Sequence, residues 1–488
     1  MCAATASPTA SPTARKVIRE SLRIAGEKVG SERVIDVTYP YSGEVIATVP
    51  KATVADVKRA LRIAREYRST LTRHDRYRIL MKAGEIVAAR REALANLITL
   101  ESGLCLKDSQ YEVGRASDVL LFAATQTLID DGQIFSCDLT AHGKRRKVYT
   151  LREPLLGAIT AITPFNHPLN QVIHKVAPAV ATNNRVVLKP SEKTPLAAYA
   201  LADILYEAGL PPPMLSVLTG DPGEIADELL TSPDMDLVTF TGGVAVGKYI
   251  AGKALYKRQV LELGGNDPLI VLEDADIEEA ATLAVSGSYK NSGQRCTAIK
   301  RMLVQEPVAE RFVERLVEKT RAVKYGDPFD PTMDMGTVID EQSAERFERV
   351  VSEAVAQGAQ LLTGNVRRGA LYAPTVLDHV RPEMTVVREE TFGPVSPVIR
   401  FKTVDEAIRI ANGTAYGLSS ALCTNRLDLI TRFVQELNVG SVNVREVPGY
   451  RLEMTPFGGI KDSGLGYKEG VLEAMKSFCN VKTYSLPW

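Results

Sequence analysis

A chain of 488 residues exceeds the roughly 250–300 at which single cores stop growing, so two or more packed domains with room for a cleft are expected. The 45% hydrophobic and 24% charged fractions are those of a globular protein, and 59 basic residues balance 59 acidic ones, which leaves no charge-based case for nucleic acid or an anionic membrane. Cysteines at 2, 105, 137, 296, 423 and 479 form no CxxC pair, so no metal site and no disulfide framework is indicated.

The first sixteen residues carry a short SPTA repeat without a bulky apolar anchor and read as a disordered tail. Reduced thiols, the lack of a signal-peptide pattern and the absence of any apolar run of about 18 residues favour a cytoplasmic protein without membrane contact. Strands are expected at Val34–Thr38 and Glu44–Val49 around a Tyr41-Ser42-Gly43 turn, then helices over 53–70 and 75–101.

From about 147 short apolar runs alternate with helical patterns. Val186–Leu188, Leu215–Leu218 and Leu237–Phe240 read as strands buried on both faces, with helices at Pro195–Ala208 and Ile225–Leu230 between them. This alternation implies an α/β fold with a parallel sheet of the dinucleotide-binding type. A second α/β series starts at Leu269–Leu272 and passes through Met302–Gln305 to about 437. Two strand candidates, Lys147–Arg152 and Val481–Leu486, have no partner in their own neighbourhood. Such exposed edges suggest an oligomer.

Three segments could carry chemistry. Cys296 is by default a small buried hydrophobe, but in Asn291-Ser292-Gly293-Gln294-Arg295-Cys296-Thr297 it has polar, glycine-containing surroundings and an adjacent arginine, as expected of an exposed, electropositively placed nucleophilic thiol. Glu262, before Gly264-Gly265, is either a solvated turn carboxylate or, if held in a partly apolar pocket, a general base. Phe240–Gly247 is a glycine-rich strand-to-helix turn suited to a phosphate, although it departs from GxGxxG and lacks a P-loop lysine. Lys189 and Glu192 lie at the carboxyl end of a neighbouring strand, where ligands bind in open α/β sheets.

With Phe165-Asn166, Lys189–Glu192, Phe240–Gly247, Glu262–Gly265, Gly293–Cys296 and Glu390-Thr391-Phe392-Gly393-Pro394 in this order, the chain from about residue 30 resembles the aldehyde dehydrogenase superfamily. The resemblance implies a Rossmann-type cofactor domain (17–131 and 152–262), an α/β catalytic domain (263–437), a segment returning to the cofactor domain and substrate mouth (438–474), and a small β oligomerisation arm (132–151 and 475–488). A homodimer or homotetramer would follow. It implies Cys296 as nucleophile, Asn166 with the Cys296 backbone N–H as oxyanion donors, and Glu262 as the base that activates water.

The same resemblance places NAD against Ile162, Thr163, Pro164, Phe165, Lys189, Ser191, Glu192, Gly223, Phe240, Thr241, Gly242, Gly243, Val246, Leu263, Gly264, Glu390 and Phe392. The Glu192 carboxylate disfavours a 2′-phosphate, while Ser191 leaves NADP open.

Four polar residues, Arg115, His167, Arg295 and Arg451, together with Thr297, mark the substrate mouth as one for a small anionic aldehyde, since arginine suits bidentate oxyanion binding. The pattern is similar to the branch acting on glyceraldehyde 3-phosphate, lactaldehyde and phosphonoacetaldehyde. The stretches KNSGQRCTAIKRMLV and VPGYRLEMTPFGGIKDSGLGYKEG look most like members acting on phosphonoacetaldehyde, and His167 stands where the glyceraldehyde-phosphate enzymes carry tyrosine. A surface salt bridge is the competing reading of each arginine, strongest for Arg115. Rival classes are a catalytically silent relative and a cysteine hydrolase using His167; the first has no reason to keep Cys296, Glu262 and Asn166 together, and the second leaves the cofactor motifs unexplained.

Overall fold

The computed structural model describes residues 17–129, 132–466 and 469–488, so the expected disordered tail lies outside the described residues. A seven-stranded sheet has the order Arg258–Glu262, Met235–Thr241, Ala158–Ile162, Val186–Lys189, Leu215–Val217, Leu22–Ile24 and Glu27–Val29. Its first five strands are parallel. The chain enters that parallel set in the middle, at Ala158–Ile162, winds outward to Leu215–Val217, then crosses back to Met235–Thr241 beside its starting strand. The reversal leaves a crevice at the carboxyl ends of Ala158–Ile162 and Met235–Thr241. Val, Ile and Leu dominate these strands because helices cover both faces; all four residues of Val186–Lys189 are buried.

A second seven-stranded sheet runs Gln360–Thr363, Thr375–Asp378, Val395–Phe401, Ile299–Gln305, Asp267–Val271, Ser419–Cys423 and Ser441–Val444. All neighbours are parallel except the first pair. The last parallel strand of the first sheet ends at Glu262 and a strand of the second begins at Asp267. So short a connection forces the carboxyl edge of one sheet to meet the amino edge of the other. Glu262, Cys296 and Glu390 all lie just ahead of strands of the second sheet, and they are therefore delivered to this seam.

The two strands without sequence neighbours pair with each other. Cys479–Leu486 runs antiparallel to Lys147–Pro154, from Cys479 opposite Pro154 to Leu486 opposite Lys147, and Ile134–Ser136 adds a third strand. Tyr149 and Tyr484 stack across the pair with ring centroids 5.1 Å apart. The helical stretch expected over 75–101 is broken: Arg73–Ala89 and Arg91–Ser102 meet at Arg90, whose ψ of 17° leaves the helical region. Helix starts follow side-chain chemistry, with Thr53/Asp56 and Thr72/Asp75 each forming a reciprocal capping box.

Candidate active site

Four parallel strands end at Ile162, Lys189, Thr241 and Glu262, and the first three of these residues line a cleft of about 1030 Å³. The cleft is also lined by Thr163, Pro164, Phe165 and Asn166 after the first strand, Ser191 and Glu192 after the second, and Gly242, Gly243 and Val246 after the third. Gly223, Phe240, Leu263, Gly264, Glu390 and Phe392 complete the set expected for cofactor, and Cys296 lies on the same wall. Sequence reasoning missed a further group there, including Leu229, Ile250, Ser343 and Arg346, whose individual patterns mark only helix faces.

The residues present fit a dinucleotide. The Val244–Ala254 helix starts at Gly243 without a side-chain cap, so its first N–H groups are left for a ligand, and a Cβ placed on Gly243 would meet nothing within 4 Å. Lys189 Nζ lies 3.1 Å from Glu192 Oε2. Burial works to raise the Glu192 pKa, but the Lys189 charge and hydrogen bond outweigh it and hold this carboxylate below its ordinary range. Phe165 and Phe392 meet edge to face at 5.8 Å.

Cys296 follows a distorted turn. Asn291, Ser292 and Gly293 have φ of 61°, 53° and 71°, three consecutive left-handed residues of which only the glycine is unstrained. Tight bonding holds the turn: Asn291 N–H donates to Asp108 Oδ2 at 2.7 Å, Asn291 Nδ2 donates to the Asn166 carbonyl at 2.9 Å, and Gln294 Oε1 accepts from Ile339 N–H at 2.9 Å. Asn166 Nδ2 donates to the Gln294 carbonyl at 2.8 Å, which ties Asn166 to the residue two before Cys296.

The thiol is half-buried on the cleft wall, but its pKa is not lowered as an electropositive setting would require. Burial pushes the Cys296 pKa up to about 11, more than the Lys300 charge lowers it, so the group is a protonated thiol near neutrality. The adjacent guanidinium does not face it in a bond; Arg295 Nη2 donates to the Gly287 carbonyl at 2.9 Å. Glu262 is buried, which removes the solvated-turn alternative.

Lys300 is a functional-looking residue that sequence reasoning missed. Its Nζ donates to the carbonyls of Arg295 and Cys296 at 2.7 and 2.8 Å and lies 3.1 Å from Glu390, while Glu390 Oε1 accepts from Gly265 N–H at 3.1 Å. One buried ammonium thus links the Cys296 turn, Glu390 and the Gly264-Gly265 connection. Two adjacent cations, Lys300 and Arg301, at the start of a buried strand were the available signal, because a buried charge must be partnered.

None of the five substrate-mouth residues lines the cleft. Arg451 and Arg295 each interact electrostatically with Cys296, Arg295 acts on His167, and Arg115 acts on all three of Arg295, Arg451 and His167. Thr297 is buried against Gly449, at the base of the Arg451 loop. Arg295 Nε and Arg451 Nη1 are buried donors with no hydrogen-bond partner among the described residues. Arg115 differs from the expectation of a cation reserved for substrate: its Nε donates to Glu453. Burial lowers the pKa of His167 despite nearby Glu112, so this imidazole is neutral at pH 7.

A parallel sheet whose carboxyl edge carries a dinucleotide-sized cleft, with a half-buried thiol on its wall, defines an oxidoreductase-type site. The aldehyde dehydrogenase family model matches residues 27–484. The chain is 38% identical over 450 residues to 3-sulfolactaldehyde dehydrogenase of Priestia aryabhattai, covering 92% of this chain and 94% of that protein. It is 36% identical over 467 residues to lactaldehyde dehydrogenase of Methanococcus aeolicus, covering 94% and 98%. Among solved structures, NADP-dependent glyceraldehyde-3-phosphate dehydrogenase from Bacillus halodurans complexed with NADP superposes with a TM-score of 0.93 at 36% identity, covering 96% of this chain and 99% of that one. The chain belongs to the aldehyde dehydrogenase family, whose members are NAD(P)-dependent enzymes acting on aldehydes. No helix among the described residues is long and apolar enough to cross a membrane.

Proposed function

We propose that the enzyme oxidises a short aldehyde bearing a strong oxyanion to the corresponding acid, with phosphonoacetaldehyde as the first candidate. The observation that carries this reading is the pair of buried, unpartnered guanidinium donors, Arg295 Nε and Arg451 Nη1, beside the thiol. Buried donors without acceptors are costly, and an oxyanion on the substrate would satisfy them. His167, neutral through burial, adds a donor or acceptor but no charge.

In this reading Cys296 Sγ attacks the aldehyde carbon and its proton passes to Glu262. The high thiol pKa makes such a base necessary. Asn166 Nδ2 and the Cys296 backbone N–H hold the oxyanion of the thiohemiacetal. The nicotinamide, when bound, supplies the hydride acceptor. Glu262 first gives the thiol proton up to solvent, then takes a proton from water as it attacks the thioester carbon and passes it to the departing Cys296 sulfur, so the acid leaves as the thiol is restored. Glu390, fixed by Lys300 and Gly265, orients the nicotinamide ribose.

NAD is the preferred cofactor because Glu192 presents negative charge where a 2′-phosphate would lie; Ser191 keeps NADP usable. The proposed cofactor and catalytic domains are each centred on one of the two seven-stranded sheets, and the Cys479–Leu486, Lys147–Pro154 and Ile134–Ser136 sheet serves as the arm of a homodimer or homotetramer.

A second reading, a sulfonated aldehyde, is favoured by the 38% identity to 3-sulfolactaldehyde dehydrogenase. The test is kcat/KM for phosphonoacetaldehyde, 3-sulfolactaldehyde, glyceraldehyde 3-phosphate and lactaldehyde. The highest value for phosphonoacetaldehyde supports the first reading. Lactaldehyde equal to or better than the three anions overturns the oxyanion reading altogether.

A further inference from the structure

Arg451 lies on an irregular stretch between the Ser441–Val444 strand and the Lys461–Ser463 turn, where no ladder or helix fixes the backbone. A guanidinium on such a loop cannot by itself hold a productive direction, yet Arg451 is mostly buried and lies close enough to Cys296 to act on it electrostatically. The contact that anchors it comes from two residues further on. Glu453 Oε2 lies 3.6 Å from Arg451 Nη2 and 2.6 Å from His174 Nε2, while Glu453 Oε1 accepts from Arg115 Nε.

Those three partners come from three places. His174 belongs to the buried Asn170–Ala181 helix, Arg115 to the Leu106–Thr127 helix, and Arg451 to the loop itself. Burial favours neutral His174 more than Glu453 favours its cation, so the imidazole serves as a neutral N–H donor. Burial alone would raise the Glu453 pKa, but His174, Arg451 and Arg115 together hold it far below the ordinary carboxylate range. Glu453 is thus ionised throughout the working pH range. Beneath Arg451, the Phe457 ring centroid lies 3.9 Å from the guanidinium carbon and fixes its plane.

We propose that Glu453 is a positioning residue for substrate specificity: it aims Arg451 so that Nη1 converges with Arg295 Nε on the oxyanion of the aldehyde. This rests on the oxyanion reading above. The alternative role of a buried carboxylate among arginines is to dilute their charge, and the two roles predict opposite signs. A charge diluter weakens anion binding, so its removal tightens it. A positioning carboxylate strengthens anion binding, so its removal loosens it.

The experiment compares Glu453→Gln, Glu453→Asp and Arg451→Ala, each assayed on phosphonoacetaldehyde, 3-sulfolactaldehyde and lactaldehyde with saturating NAD, alongside Tm. Glutamine can still accept from Arg115 and, with the other imidazole tautomer, donate to His174, but it has no charge with which to hold Arg451. Glu453→Gln is expected to raise KM for whichever anionic aldehyde is the better substrate about tenfold or more, with a smaller effect on kcat and a much smaller loss on lactaldehyde. Glu453→Asp keeps the charge and should recover part of the loss. An unchanged or lowered KM for the anion in a folded Glu453→Gln enzyme overturns the proposal, as do equal losses on anionic and neutral aldehydes in both Glu453 variants. Arg451→Ala separates the two levels: an anion-selective loss there without one in Glu453→Gln sinks the positioning role alone, whereas no anion-selective loss in Arg451→Ala sinks the oxyanion reading beneath it.

Discussion

The cofactor cleft and the substrate mouth meet at Cys296 but are built in different ways. The cleft is assembled at the carboxyl ends of parallel strands, at Ile162, Lys189 and Thr241, and at the helix start Gly243. The mouth draws Arg115 from a helix, His167 from a turn, Arg295 from a strained loop and Arg451 from an irregular one. Its central ion pair, Arg115 with Glu453, joins residues 338 positions apart. Regular elements position the part common to every reaction such an enzyme performs, and loops cross-braced by buried charges position the part that chooses the aldehyde.

If this division holds, variants at the seam should abolish everything, variants in the mouth should change substrate preference, and variants at the far end of the cleft should change only cofactor preference. Cys296→Ala is the most severe: turnover should be lost on every aldehyde while NAD affinity stays nearly intact, since the thiol forms the covalent bond and holds little of the dinucleotide. Residual activity above about a tenth would remove Cys296 from its role. A pH test accompanies it. With the folded-state pKa raised to about 11, the thiolate fraction of the enzyme without cofactor is small at pH 7, and iodoacetamide should alkylate Cys296 about tenfold faster per pH unit from 7 to 10. A plateau near pH 7 would show an acidified thiol instead.

Glu262→Gln comes next. Thiohemiacetal formation and hydride loss should still occur once per site, giving a burst of about one NADH followed by a steady state slower by roughly 10²–10⁴. Rapid-mixing absorbance reads both phases; an unchanged steady state without a burst would assign water activation to another group. Arg295→Ala or Arg451→Ala should cost about 10–150-fold in kcat/KM on phosphonoacetaldehyde and much less on lactaldehyde, from the ~1.5–3 kcal/mol of a charge-assisted hydrogen bond. Equal losses on both would make these arginines structural.

The contrast also explains what could be read from the sequence. Val186–Leu188 and Leu237–Phe240 declare themselves by short apolar runs, and once they are placed in a parallel sheet the residues after them fall at the ligand edge without further information. The six motifs in order then gave the family. The raised pKa of Cys296 was not legible, because desolvation depends on packing and Arg295 beside it in sequence bonds its guanidinium to the Gly287 carbonyl rather than to the sulfur. The resemblance placed Lys147–Arg152 and the C-terminal strand in one arm, but the register in which they pair, across most of the chain, was not legible. Glu453 carries no local pattern, and its role, like that of Lys300, is defined by partners that only the fold brings together.

The smallest expected effect lies farthest from the chemistry, at Glu192. Its carboxylate is ion-paired to Lys189 at 3.1 Å and its side chain is 40% exposed, so solvent screens its repulsion of a 2′-phosphate. Glu192→Gln removes that repulsion and frees Lys189 to meet the phosphate, and both changes favour NADP. Because exposed charge pairs are worth about 1 kcal/mol or less, the ratio of kcat/KM for NADP over NAD should rise by about fivefold or less, with the ranking of aldehydes untouched. The rise should shrink as ionic strength is raised, which a change in packing would not do. A ratio that stays constant, or a shifted aldehyde ranking, would mean that the adenosine end of the cleft and the mouth are not energetically separate.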